Sequence, residues 1–132
     1  GYPYSMSIIG HGIDLVDVER IEDMIDRHGA RFLDRCFTVR EQAYCESGGV
    51  QRGQRYAARF AAKEAVFKAI GTGLGEGMTW NQIEVVRSDS GQPTIEIRDE
   101  VAREASQLGI GSWLVSLTHL PTHASASVIG CA

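Results

Sequence analysis

Two carboxylates and one lysine are the residues whose types and placement could do chemistry. Glu64 and Lys68 stand four apart in the run Arg59-Phe60-Ala61-Ala62-Lys63-Glu64-Ala65-Val66-Phe67-Lys68. On a helix they lie about 40° apart, one turn from each other on one face. Phe60 and Phe67 flank Glu64 on that side, and Tyr56 continues the stripe. A carboxylate at the edge of an aromatic stripe is partly desolvated and needs a cation or a metal beside it. Taken alone, the pair reads as an i,i+4 ion pair on an exposed face, worth a few tenths of a kcal/mol. Asp14 shifts that weighing, because it sits between Ile13 and Leu15 in an apolar segment. Its plain role would be to cap the following helix, but Asp17 competes for that position. Two carboxylates from distant segments, completed by phosphate oxygens and water, make the hard oxygen site that Mg²⁺ prefers.

The remaining candidates are weaker. The loop Gly71-Thr72-Gly73-Leu74-Gly75-Glu76-Gly77 could bring backbone N–H groups close to phosphates. It follows a helix instead of opening one, so it lacks the helix N-terminus that phosphate loops use. A flexible connector is the plainer reading. His119 ends the run Ser116-Leu117-Thr118-His119, where a lone histidine is more often a surface or capping residue. His11, His28 and His123 have no partner pattern, and no Ser or Cys has a spaced base to make it a nucleophile. Cys36, Cys45 and Cys131 form no C-x-x-C pair and read as free thiols.

The elements that must position these groups follow from pattern and punctuation. Ile8–Val16 is β-branched and apolar and reads as a strand. Its Gly10 and Gly12 predict the close approach of another backbone or a ligand. A helix over about 17–28 carries Val18, Ile21, Met24 and Ile25 at helical spacing and ends at Gly29. A short helix spans about 30–37. Thr38-x-x-Glu41 is a capping box that opens a helix over 39–46. Residues 47–49 break the chain. The strongest helix covers 52–70 and stops at Gly71. Residues 83–87 and 94–98 read as a hairpin turned by 88–93, and Asp99 as the cap of a helix running to Leu108. Strands over 113–118 and 124–130 complete an α+β pattern.

With 132 residues the chain is one domain, able to bury about two-thirds of its unfolded surface without staples. Residues 1–5 read as the remnant of an expression tag, leaving 6–132 as the domain. A formal charge of −4 excludes a general nucleic-acid binder, whose footprint is basic. No apolar run approaches the about 20 residues of a membrane span, and no secretory signal is visible, so a cytoplasmic location is expected. The charge also argues against an acidic partner as a whole-molecule field. Locally the sign differs. Arg20 and Arg27 are seven apart on the first helix, with Arg31 and Arg35 after them, although Glu19, Glu22, Asp23 and Asp26 are interleaved. The only two lysines, Lys63 and Lys68, are expected beside the proposed metal.

Gly10-x-Gly12-Ile13-Asp14-Leu15, Arg20-Ile21, Phe37-Thr38-x-x-Glu41, Arg59-Phe60-Ala61-Ala62-Lys63-Glu64-Ala65-x-x-Lys68, Gly71-Thr72-Gly73 and Ser116-Leu117-Thr118-His119 occur in that order. Together they resemble the holo-acyl-carrier-protein synthase family, the small 4′-phosphopantetheinyl transferases of bacterial fatty-acid synthesis. His11 departs from the apolar residue more usual between the two glycines. The resemblance implies a 4′-phosphopantetheinyl transferase fold, an antiparallel sheet with a long helix packed on it, forming a homotrimer with active sites between subunits. It implies transfer of 4′-phosphopantetheine from coenzyme A to a serine of apo acyl carrier protein, releasing adenosine 3′,5′-bisphosphate. The nucleophile then belongs to the partner, in keeping with its absence here. By resemblance, Asp14 and Glu64 hold Mg²⁺, for which Mn²⁺ can substitute, and Glu64 and Lys68 are catalytic. Glu64 and a metal-bound water both remain open as acceptor of the serine proton. Arg59, Lys68, Gly71, Thr72, Gly73 and His119 would bind coenzyme A, and Arg20 and Arg27 would dock the carrier. A coenzyme A-binding module without transfer could manage without Asp14, Glu64 and Lys68. A small acyl-coenzyme A thioesterase would need a larger sheet than the helix blocks before Gly71 leave room for.

Overall fold

The long helix organises everything else. In the computed structural model, which describes residues 7–132, helix α4 (Arg52–Ile70) lies across a three-stranded antiparallel sheet. That sheet has the order β1-β5-β4, with β1 spanning Ile8–Asp17, β4 Ser112–His119 and β5 His123–Cys131. Helices α1 (Val18–His28), α2 (Ala30–Cys36) and α3 (Val39–Glu46) come between β1 and α4 in the chain. After α4, a 3-10 turn at Trp80–Gln82 leads into the hairpin β2 (Ile83–Arg87) and β3 (Pro93–Ile97), then α5 (Asp99–Gln107). A second 3-10 turn, Gly49–Gln51, precedes α4. The tag-remnant reading of residues 1–5 lies outside the described residues, as does Met6.

Two glycines let α4 settle on β1. A Cβ on Gly12 would stand 1.9 Å from Ala65 O, and one on Gly10 would stand 2.3 Å from Ala69 O. The alanines of α4 meet this bare stretch of strand, which is the close backbone approach the glycine spacing predicts. Ala57, Ala61, Ala62, Ala65 and Phe67 are buried, and Tyr56 and Phe60 meet Phe37 and Phe32 on the side of the preceding helices. Phe37 lies edge-on to Tyr56 with ring centroids 4.9 Å apart, and its other neighbour is Phe32 at 6.0 Å. Helix α1 buries Val18, Ile21 and Ile25, one face of its amphipathic pattern.

Both halves of the Thr38–Glu41 capping box are present. Gly71, at φ 89°, closes α4 in the left-handed conformation, donating its N–H to Phe67 O at 2.9 Å. The capping of α5 departs from expectation. Arg98 holds the cap position with its N–H on Gln82 O, and Asp99 is the first helical residue, at φ 53°. The cap comes from elsewhere, since Val101 N donates to Gln82 Oε1 at 3.2 Å. Pro93 also joins β3, at the strand-end position that tolerates a residue without an N–H. The three cysteines are free and buried, and burial pushes Cys36 up to about 11 and Cys45 to about 12.

Candidate active site

Asp14 is on the helix-facing side of β1. Gly12 and Val16, two residues to either side, are buried against the core, whereas Ile13 and Leu15 point outward. Its carboxylate therefore meets α4. Lys68 Nζ donates to Asp14 Oδ1 at 2.9 Å and to Ile13 O at 3.0 Å. The Asp14 side chain is 16% exposed and that of Lys68 is 56% exposed. Screened by water on the lysine side, such a pair contributes at most about 1 kcal/mol to stability. Its meaning is electrostatic: a carboxylate drawn out of solvent is aimed at a cation.

Glu64, one turn before Lys68, is half-buried. The i,i+4 pairing open from the sequence is not what forms here, because Lys68 turns to Asp14. Glu64 Oε1 instead accepts from Trp80 Nε1 at 3.4 Å. The other lysine departs from expectation. Lys63 is fully buried and faces away, donating to Glu41 Oε1 at 2.7 Å, Trp80 O at 3.2 Å and Ile83 O. One residue along a helix is a turn of about 100°, which sends neighbours to different faces. Burial pulls the Lys63 ammonium below its ordinary value, against the opposing pull of Glu41. So Lys68 alone of the two lysines brings charge to Asp14.

The remaining candidate residues divide by position. Gly71, Thr72 and Gly73 are exposed and begin three residues after Lys68, at the same end of α4. That end carries the negative pole of the helix dipole, so an anion there needs Lys68 and further cations. His119 lies at the other end of α4, with Nδ1 2.7 Å from Gln54 Oε1. It lines a hollow of about 230 Å³ with Leu15, Leu120 and Ser125. Arg59 is nine residues before Lys68, about 180° around the helix. It is buried, its guanidinium 4.2 Å from the Tyr44 ring centroid and its Nε without a partner. Arg55 and Arg87 share that ring, at 4.2 and 5.0 Å. Arg20 and Arg27 are exposed on α1, and Arg20 borders a groove of about 700 Å³ with Glu19, Glu22 and Asp23. Within one chain, then, Asp14 and Lys68 meet between β1 and α4, Glu64 stands one turn before Lys68 beside Trp80 and the glycine loop follows α4, while Arg59 is on the opposite side of the helix and His119 near its other end.

The donor chemistry fits Mg²⁺. Asp14 and Glu64 supply hard carboxylate oxygens, and the Lys68 ammonium already takes a cation's place on Asp14. No cluster of three or more His, Cys, Asp or Glu side chains suited to a metal occurs among the described residues. Two protein ligands completed by substrate oxygens and water suit Mg²⁺, which keeps much of its shell.

A family model for the 4′-phosphopantetheinyl transferase superfamily matches residues 10–118. The chain belongs to that superfamily. As a transferase of this group it is 47% identical over 122 residues to the holo-[acyl-carrier-protein] synthase of Koribacter versatilis (strain Ellin345). The match covers 92% of this chain and 97% of that relative. Its fold is similar to the crystal structure of the synthase from Neisseria meningitidis, at TM-score 0.84 and 27% identity, over 94% of this chain and 98% of that one. The Helicobacter pylori synthase in complex with coenzyme A matches at TM-score 0.79 and 28% identity, over 91% and 98% of the two chains. No described helix is long and apolar enough to cross a membrane.

Sequence reasoning missed Trp80 and the Lys63–Glu41 pair. A half-buried tryptophan needs an acceptor for its N–H, but nothing in the run of residues says which carboxylate provides it.

Proposed function

We propose that this chain transfers 4′-phosphopantetheine from coenzyme A to a serine of apo acyl carrier protein, releasing adenosine 3′,5′-bisphosphate. The reading is supported by one observation: Lys68 of α4 pairs with Asp14 of β1, one helical turn beyond Glu64, in a chain that matches named holo-[acyl-carrier-protein] synthases over nearly their whole length. The reaction forms a bond from the serine oxygen to phosphorus and breaks the P–O bond to the nucleotide. Positioning and charge neutralisation do most of the work in such transfers. Asp14 and Glu64 would hold Mg²⁺, with Mn²⁺ able to substitute. Bound there, the metal would offset charge on the pyrophosphate. Lys68, exposed to solvent beside Asp14, neutralises or protonates the departing phosphate. Gly71, its own N–H spent on Phe67 O, turns the chain so that Thr72 and Gly73 can offer backbone N–H groups next to it.

Arg59 and His119 complete the coenzyme A site on this reading, but from a neighbouring copy. Their separation from Asp14 within one chain supports a homotrimer with sites between subunits. So does the outer face of the sheet, where Ile13, Leu15 and Leu114 are exposed. Arg20 and Arg27 form the docking face for the carrier. The transferase acts in the cytoplasm, in fatty-acid synthesis, as a single domain. The test is mass spectrometry of apo acyl carrier protein incubated with the protein, coenzyme A and Mg²⁺. A phosphopantetheine adduct on the carrier serine is expected. Its absence on every cognate carrier overturns the assignment.

A further inference from the structure

We infer that Trp80 is a positioning residue for Glu64, its indole N–H fixing the orientation in which the Glu64 carboxylate meets a divalent cation. This rests on the reading of Glu64 as a metal ligand. The indole is held from several sides. The backbone carbonyl of Trp80 accepts from the fully buried Lys63 Nζ at 3.2 Å, and that lysine is locked to Glu41 at 2.7 Å. Phe60, one turn before Glu64 on α4, stacks on the indole with centroids 6.1 Å apart and planes at 25°. Arg35 of α2 places its guanidinium 5.6 Å from the ring centroid. So α2, α4 and the buried ion pair all orient the ring whose Nε1 reaches Glu64 Oε1 at 3.4 Å.

The chemistry of the donor fits the role. An indole N–H only donates, so it cannot ligate a metal or exchange a proton with the carboxylate. It occupies one oxygen of Glu64 and leaves the other for a cation. At 3.4 Å the hydrogen bond is long, so its contribution is orientation more than strength. Partners that orient a metal's ligands typically change affinity by about 10–100-fold, and a bond of this length belongs at the lower end.

The test is Mn²⁺ titration of the free protein, followed by water proton relaxation, for wild type, Trp80→Phe and Glu64→Gln. Phenylalanine keeps the ring against Phe60 and removes the N–H. Trp80→Phe should bind Mn²⁺ about 10-fold more weakly, with a thermal midpoint close to wild type. Glu64→Gln should lose most of the binding. If Trp80→Phe binds as wild type while Glu64→Gln is weakened, the positioning role is overturned and the metal-ligand reading stands. If Glu64→Gln also binds as wild type, both fall. A second measurement needs no change at Trp80. The chain has two tryptophans, Trp80 and Trp113, hence two indole N–H resonances. Glu64→Gln should move that of Trp80 and leave that of Trp113 in place; an unmoved Trp80 signal overturns the inference even if Trp80→Phe does not fold.

Discussion

At the scale of single residues, activity and stability come apart in a testable way. The Asp14–Lys68 pair is half in water and contributes at most about 1 kcal/mol to folding. A cation held by Asp14 and Glu64 would instead offset charge on the reacting phosphates, worth several kcal/mol. Asp14→Asn and Glu64→Gln should therefore each lower turnover by about 100-fold or more, while the thermal midpoint moves by only a few degrees. Steady-state assays beside thermal melts check this, and full activity in either variant overturns the assigned role. The candidate residues were legible because each violated a local expectation: Asp14 is a charge in an apolar strand, and Glu64 borders an aromatic stripe. The partner of each was not. Lys68 could equally have paired with Glu64, and only the bare Gly10–Gly12 stretch, which brings β1 close to α4, decides for Asp14.

At the scale of elements, the hairpin is tied to the helices through one carboxylate. Glu84 is buried in β2 and accepts from Arg40 at 3.0 Å, Thr38 Oγ1 at 2.7 Å and Arg98. The Arg40 guanidinium first, then Arg98 and Thr38, hold its carboxyl at about 2, against the opposing effect of burial. An unfolded chain would release that proton near about 4.3. The folded value is the lower one, so the stabilisation is complete above the unfolded value and is lost as pH falls from there toward about 2. Glu84→Gln should cost about 1.5–3 kcal/mol at neutral pH, and its deficit against wild type should shrink between those two values. Thermal melts across that range decide it; a deficit that does not change with pH overturns the ion-pair account. Elements defined by local chemistry were readable from sequence: α3 has its capping box, and α4 runs from 52 to 70 between breaks. The cap of α5 was not, because Gln82 supplies it from 19 residues away. The Lys63–Glu41 pair hid for the same reason, joining residues 22 apart that only packing brings together.

At the scale of the whole molecule the net charge is −4, and the arginines proposed to dock the carrier, Arg20 and Arg27, stand on α1 among Glu19, Glu22, Asp23 and Asp26. Arg20→Glu should raise KM for the carrier protein far more than KM for coenzyme A, and equal effects count against docking at that face. The assembly is the larger question. One chain leaves Arg59 on the far side of α4 from Lys68 and His119 at the helix's other end, so the proposed coenzyme A site would draw them from another copy. The sheet's outer face offers the surface: Ile13 is 59%, Leu15 69% and Leu114 56% exposed, on the two strands that flank β5. Between them β5 presents the small side chains of Ser125 and Ser127, which let a neighbour approach closely. Leu114→Asp is the discriminating change. In an isolated chain that side chain is largely in water, so the fold should tolerate the carboxylate. Buried between subunits, an unpaired carboxylate costs several kcal/mol at each copy. The variant should therefore run as a monomer in light-scattering chromatography where wild type runs as a trimer. It should keep a cooperative melt and lose transfer activity, because Arg59 and His119 no longer reach a neighbour's coenzyme A. A monomeric Leu114→Asp with full activity would place the whole site within one chain and remove the reason for the trimer.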